Sequence, residues 1–128
     1  MAVKIVWNKP GLDSVLQSPE GVVGRYLKKK GRLITAAARR QVGVRTGALR
    51  NSIHMRHFRD PRGQYIKVGS SLSYARAHHD GTKPHLILPT KGRNLRFFSK
   101  GFLVFAQMVR HPGTKPNRYL TDNLKLIK

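Results

Sequence analysis

The side chains best able to move protons at neutral pH are six histidines, His54, His57, His78, His79, His85 and His111. A metal centre would need them to converge, usually with thiolate or carboxylate help. The chain has no cysteine, which excludes disulfides and thiolate metal sites. His54 and His57, three apart on an expected strand, fall on opposite faces and cannot chelate together. The five acids, Asp13, Glu20, Asp60, Asp80 and Asp122, are too scattered for a metal-dependent nuclease. Metal-independent RNA cleavage, as in small basic toxins, needs only His, Arg and Lys, but no spacing here singles it out. The histidines read as turn and surface residues, and no enzyme, cofactor or metal is expected.

Charge is the stronger signal. Lys plus Arg number 26 against 5 Asp plus Glu, a formal +21 over 128 residues. Such self-repulsion disfavours a compact monomer unless a polyanion lies close by. DNA or RNA fits better than a membrane, because no apolar run approaches the roughly 20 residues that span a bilayer. The apolar run before Trp7 is also too short for a signal-peptide core. The expected compartment is the cytosol, or a particle packaged there. Arg25, Lys28, Lys29, Arg32, Arg39 and Arg40 fall within an arc of roughly 120° on a helical wheel, with no acid among them. Such a stripe suits phosphate contacts, which position a protein without reading sequence. Nothing resembles a helix-turn-helix, a zinc finger or an RNA-recognition aromatic motif.

One short sequence occurs twice: Gly81-Thr82-Lys83-Pro84 and Gly113-Thr114-Lys115-Pro116. Each copy follows a His and one further residue, His79-Asp80 and His111-Pro112. Gly permits a turn, Thr bonds locally and Pro stiffens the exit. A phosphate loop of the nucleotide-binding type is not indicated, since the Gly-rich spacing and the Lys-Ser/Thr that should follow are missing.

The elements that must position these groups follow from pattern. Residues 1–17 read as an N-terminal arm or first strand, with Asn8-Lys9-Pro10-Gly11 as a turn. Ser18-Pro19-Glu20 starts a helix running to about Val42, with Gly43 as its stop. Val23, Tyr26, Leu27, Leu33, Ile34, Ala37 and Ala38 form its apolar side. Lys30 points into that side, against the pattern. Gly24 and Gly31 each cost about 1 kcal/mol against Ala, so they weaken the helix or mark a close contact. Thr46 caps a short helical turn. Strands over 52–59 and 64–69 flank Asp60-Pro61-Arg62-Gly63, a turn with the right residues in the right order. A short helix or turn is expected over 72–79, strands over 85–88, 95–98 and 102–109, and a brief helix over 118–127. The class is α+β: one long N-terminal helix packed on an antiparallel β-sheet, with a short C-terminal helix. Residues 18–128 form one domain in this reading.

An ordered set of these segments resembles one protein family. The set is Thr46-Gly47-Ala48-Leu49-Arg50-Asn51-Ser52-Ile53, then Tyr74-Ala75 leading to His79-Asp80-Gly81-Thr82, then His111-Pro112-Gly113-Thr114-Lys115-Pro116 and Tyr119-Leu120. It is similar to the neck, or tail-completion, family of long-tailed bacteriophages, which are head–tail joining or minor tail proteins. The likeness covers about residues 20–127. Many members have Glu at the position of Asp80, and the charge here is higher than the family leads one to expect.

The resemblance implies a virion protein with no catalytic activity, assembled in the host cytoplasm as a homo-oligomeric ring of six at the head–tail interface. Its neighbours would be connector or head-completion proteins on one side and tail-terminator or tail-tube proteins on the other. Double-stranded DNA would occupy the lumen. A ring is closed by heterologous contacts, so each subunit needs two different adhesive surfaces. The candidates are Gly81, Thr82, Lys83, Pro84, Phe102, Val104, Gly113, Thr114, Lys115, Pro116 and Tyr119. Candidates for the channel wall are Arg25, Lys28, Lys29, Arg32, Arg39 and Arg40, or the basic loops 91–93 and 96–100. The same cations would equally serve acidic patches on partner rings. Two other readings stay open: a free, non-specific nucleic-acid-binding protein, and a basic RNase toxin.

Overall fold

The structure, a computed structural model, describes residues 2–128. It is mixed helix and strand, with antiparallel pairing throughout, as the α+β reading expects. The chain divides into two compact units. One unit comprises the residues up to 75 together with 118–128, and the other comprises 76–117.

The first unit opens with an exposed segment that has no regular structure, residues 2–8. Helix α1, Lys9–Gln17, follows. The expectation of an arm or first strand over 1–17 is therefore corrected from residue 9 onward, and Met1 lies outside the described residues. The physical reason is that the same residues signal both structures. Asn8 accepts a hydrogen bond from the Gly11 amide at 3.1 Å and caps the helix, and Pro10 occupies its first turn.

Helix α2, Val22–Gln41, starts later than Ser18-Pro19-Glu20 suggests. Ser18 instead ends α1, and Gly21 is the residue before α2. Both helical glycines mark close contacts. A Cβ on Gly24 would meet the backbone of Ser18 and Pro19, and one on Gly31 would meet Met55 and Ile66. Ile34, Ala37 and Ala38 are buried as expected, whereas Tyr26 and Leu33 are about half exposed.

Beyond the short helix α3, Ala48–Ser52, strands β1 (His54–Asp60) and β2 (Gly63–Gly69) form the expected hairpin. Seven pairs run from His54↔Gly69 to Asp60↔Gly63. The turn is held by the Asp60 carboxylate, which accepts from the Arg62 amide at 2.8 Å. Met55 and Ile66 share the face that packs under Gly31 of α2.

The core joins Ala38 and Val42 to Leu49, Ile53, Ala75 and Tyr119. The expected short C-terminal helix is a 3₁₀ helix over 121–127. It is fixed to α2 by polar bonds: Asn123 donates to the Gln41 side chain at 2.8 Å, and Lys30 donates to the Leu126 carbonyl at 3.1 Å. Lys30 breaks the apolar pattern of α2 because its ammonium caps this terminal helix.

The second unit begins within α4, Ala75–Asp80, whose first residue belongs to the first unit. Its strands are β3 (His85–Ile87), β4 (Leu95–Ser99), β5 (Phe102–Ala106) and β6 (Val109–His111). β3 pairs with β6 and β4 with β5, both antiparallel. The expected single sheet is thus three two-stranded ribbons. The expected strand over 102–109 is split because its first half pairs with β4 while the chain beyond it turns to β3. At the β4–β5 turn Lys100 and Gly101 both have positive φ, 51° and 86°, the signature of a tight hairpin turn.

Candidate nucleic-acid and assembly surfaces

The basic stripe of α2 lies on the side away from the β1–β2 hairpin, and it is not uniform. Lys28 pairs with Glu20, and this hydrogen bond and charge hold the Glu20 carboxyl below the usual glutamate value. Arg39 donates from Nε and Nη2 to the Ile53 carbonyl at 3.0 and 2.6 Å, closing the end of α3. Two of the six candidate cations are therefore engaged by groups within the unit. Arg25, Lys29, Arg32 and Arg40 are exposed. The first three line a shallow 810 Å³ depression along the helix together with Lys28 and Glu20.

The repeated Gly-Thr-Lys-Pro turns meet each other. Thr82 and Thr114 exchange both backbone hydrogen bonds at 3.1 Å, and their hydroxyls lie 3.1 Å apart. This bridge continues the β3–β6 register, in which His85 and His111 are opposite and stack at 5.0 Å. Both glycines have positive φ, 75° at Gly81 and 88° at Gly113. A Cβ on Gly81 would sit 2.6 Å from the Thr114 carbonyl, and one on Gly113 would strike the Thr82 carbonyl. The echo is one paired device in which the glycines and threonines engage each other. Lys83, Pro84, Lys115 and Pro116 remain exposed. Sequence reasoning singled out both copies but missed their pairing. The repetition itself was the available signal, since two like turns can mate across an antiparallel pair.

Beside this device, His79 Nδ1 lies 2.6 Å from Asp80 Oδ1 and Arg76 lies 3.5 Å from Oδ2. The His79 hydrogen bond is the main cause of a lowered Asp80 pKa.

The apolar assembly candidates differ in exposure. Phe102 is 75% exposed, as is Phe98 on the facing strand, with Phe105 also exposed, while Val104 is half-buried. Tyr119 is 1% exposed and donates to the Ala75 carbonyl at 3.4 Å. Its assignment as a contact residue is corrected: it is the largest fully buried side chain and a core element. The sequence set Tyr119 beside an exposed turn, but Leu120 and the terminal helix fold it inward.

No group of three or more His, Cys, Asp or Glu able to hold a metal ion occurs among the described residues. No helix among them is long and apolar enough to cross a membrane. Set against protein-family models, curated proteins and solved structures, the chain matches none.

Proposed function

We propose that the chain is a structural subunit of a phage head–tail junction, forming a homo-oligomeric ring between connector and tail and surrounding the DNA channel. The observation that carries this reading is the state of the second unit. None of its residues, 76–117, is buried, yet it presents Leu86, Leu88, Phe98, Phe102, Phe105 and Met108 to the surface. Two-stranded ribbons of that kind are marginal alone in water. Exposed apolar surface on this scale favours contact with neighbouring chains. The segments that resemble the neck family lie in both units, the paired turns in the second and α3 and the segment entering the terminal helix in the first. In this role the second unit supplies adhesive surfaces, and the exposed cations of α2 face phosphate or an acidic neighbour.

The test uses two variants. Replacing Phe98, Phe102 and Phe105 by Ser should leave a folded chain that no longer oligomerises. Replacing Arg25, Lys29, Arg32 and Arg40 by Glu should leave assembly intact but impair genome retention in phage particles. Full infectivity with the second variant would remove α2 as the DNA face. Unchanged assembly with the first would remove the hairpin as an adhesive surface. The charge itself favours one other reading, a free non-specific nucleic-acid-binding protein, for which the chain would bind DNA as a monomer.

A further inference from the structure

We propose that the outer face of the β1–β2 ribbon is a second phosphate-binding site, built for the phosphodiester backbone of a nucleic acid. Side chains alternate along a strand, so this face is the one turned away from α2. It carries the cross-strand pairs His54↔Gly69, Arg56↔Lys67 and Phe58↔Tyr65.

Three observations point to an anionic ligand. First, Arg56 and Lys67 stand directly opposite each other, an arrangement that destabilises a ribbon when nothing neutralises it. Among the described residues the Arg56 side chain has no hydrogen-bond or ion-pair partner, and no carboxylate lines the surrounding 410 Å³ depression. The one acid on this face, Asp60, is at the far turn and bonds the Arg62 amide. Second, Lys67 is held in position by aromatic rings. Its ammonium lies 5.2 Å from the Phe58 centroid and 5.6 Å from that of Tyr65, and the two rings stack at 5.5 Å. His54 is fixed as well: its Nδ1 donates to the Ser52 carbonyl at 2.7 Å, which leaves Nε2 as the other polar end of the ring. Third, Gly69, opposite His54, has no structural need to be glycine. Its φ is not positive, and a Cβ there would meet nothing within 4 Å. What its missing side chain does is keep the depression open beside His54, Ser70 and Ser71.

The combination of one cation set against aromatic rings, a second cation directly opposite it and an open backbone approach is the pattern that grips a nucleic-acid strand. An acidic protein surface would be served by the cations alone. The assignment extends the DNA-facing part of the function proposed above, yet it does not require a ring.

The test measures binding of the full-length protein to a fluorescent duplex, to an oligothymidylate strand and to an oligoglutamate peptide across a salt series. Arg56→Gln with Lys67→Gln should weaken nucleic-acid binding about tenfold or more at low salt, and flatten the salt slope by about 2 on duplex or about 1.4 on single strand. The arm with the larger loss identifies the natural form of the backbone. Gly69→Val, which suits a strand and leaves the charge unchanged, should also weaken binding several-fold. The idea is overturned if Gly69→Val binds like the parent, since the site would then be diffuse charge. It is overturned equally if the charge variant loses only oligoglutamate. Loss of DNA binding in the α2 variant but not in the ribbon variants would sink this site and leave the ring intact. Loss in the ribbon variants of a protein that stays monomeric would support the site and sink the ring.

Discussion

The two units are built on opposite principles. The first buries Ile34, Ala38, Val42, Leu49, Ile53 and Tyr119, and then cross-links its segments with polar bonds from Lys30, Arg39 and Asn123. The second buries no residue and is organised by backbone geometry: four positive-φ glycines, a reciprocal threonine bridge and tight hairpin turns. The first has an interior of its own. The second has the shape-defining parts of a fold without the hydrophobic interior that would normally stabilise it. The difference teaches where folding stops being a property of one chain. A region so arranged gains its interior when neighbours cover it, as the proposed ring would do.

The comparison can be broken most severely in the first unit. Tyr119→Ala should cost about 3–5 kcal/mol, the usual range for emptying a large core aromatic site. Thermal unfolding followed by circular dichroism should show this in the isolated monomer. In the second unit, Gly113→Ala should impose about 1–2 kcal/mol of backbone strain besides the clash with Thr82. Because that unit has no core, the loss should be local. Hydrogen exchange should rise at the Thr82 and Thr114 amides while the amides of α2 keep their protection. A uniform rise across both units would mean that they unfold as one.

Asn8→Ala should cost about 1 kcal/mol by removing the cap of α1, seen as faster exchange in residues 9–17 only. The smallest effect concerns pH. The Asp80 carboxyl is held below its usual value chiefly by the His79 hydrogen bond, so its contribution is present above the ordinary carboxylate pKa and is lost as pH falls through the lowered one. Acidification below about pH 4 should loosen the exposed 76–80 turn slightly, and Asp80→Asn should abolish that dependence.

What was legible in the sequence follows the range of the interactions. The β1–β2 hairpin could be read because Asp60-Pro61-Arg62-Gly63 specifies its own turn. The long helix was legible from its period, but the reason for the misfit of Lys30 was not, because its partner, the Leu126 carbonyl, lies 96 positions away. Helix α1 was not legible, since Asn8-Lys9-Pro10-Gly11 suits a turn and a capped helix start alike. Nor was the mating of the two Gly-Thr-Lys-Pro turns, because the threonines bond across 32 positions and no local preference encodes a partner that distant. Within the candidate surfaces, the charges of α2 were evident, but the structural duties of Lys28 and Arg39 depend on Glu20 and Ile53 coming close in space. The ribbon face was missed because its cations interleave with apolar residues and become a patch only once the register sets Arg56 opposite Lys67.

The claim that this chain is a ring-forming subunit is tested most directly by the mass of the purified protein in solution over a range of concentrations, with and without duplex DNA. The account predicts that monomers convert to one discrete closed oligomer. A chain that stays monomeric at every concentration while binding DNA tightly would contradict it and identify a free nucleic-acid-binding protein instead.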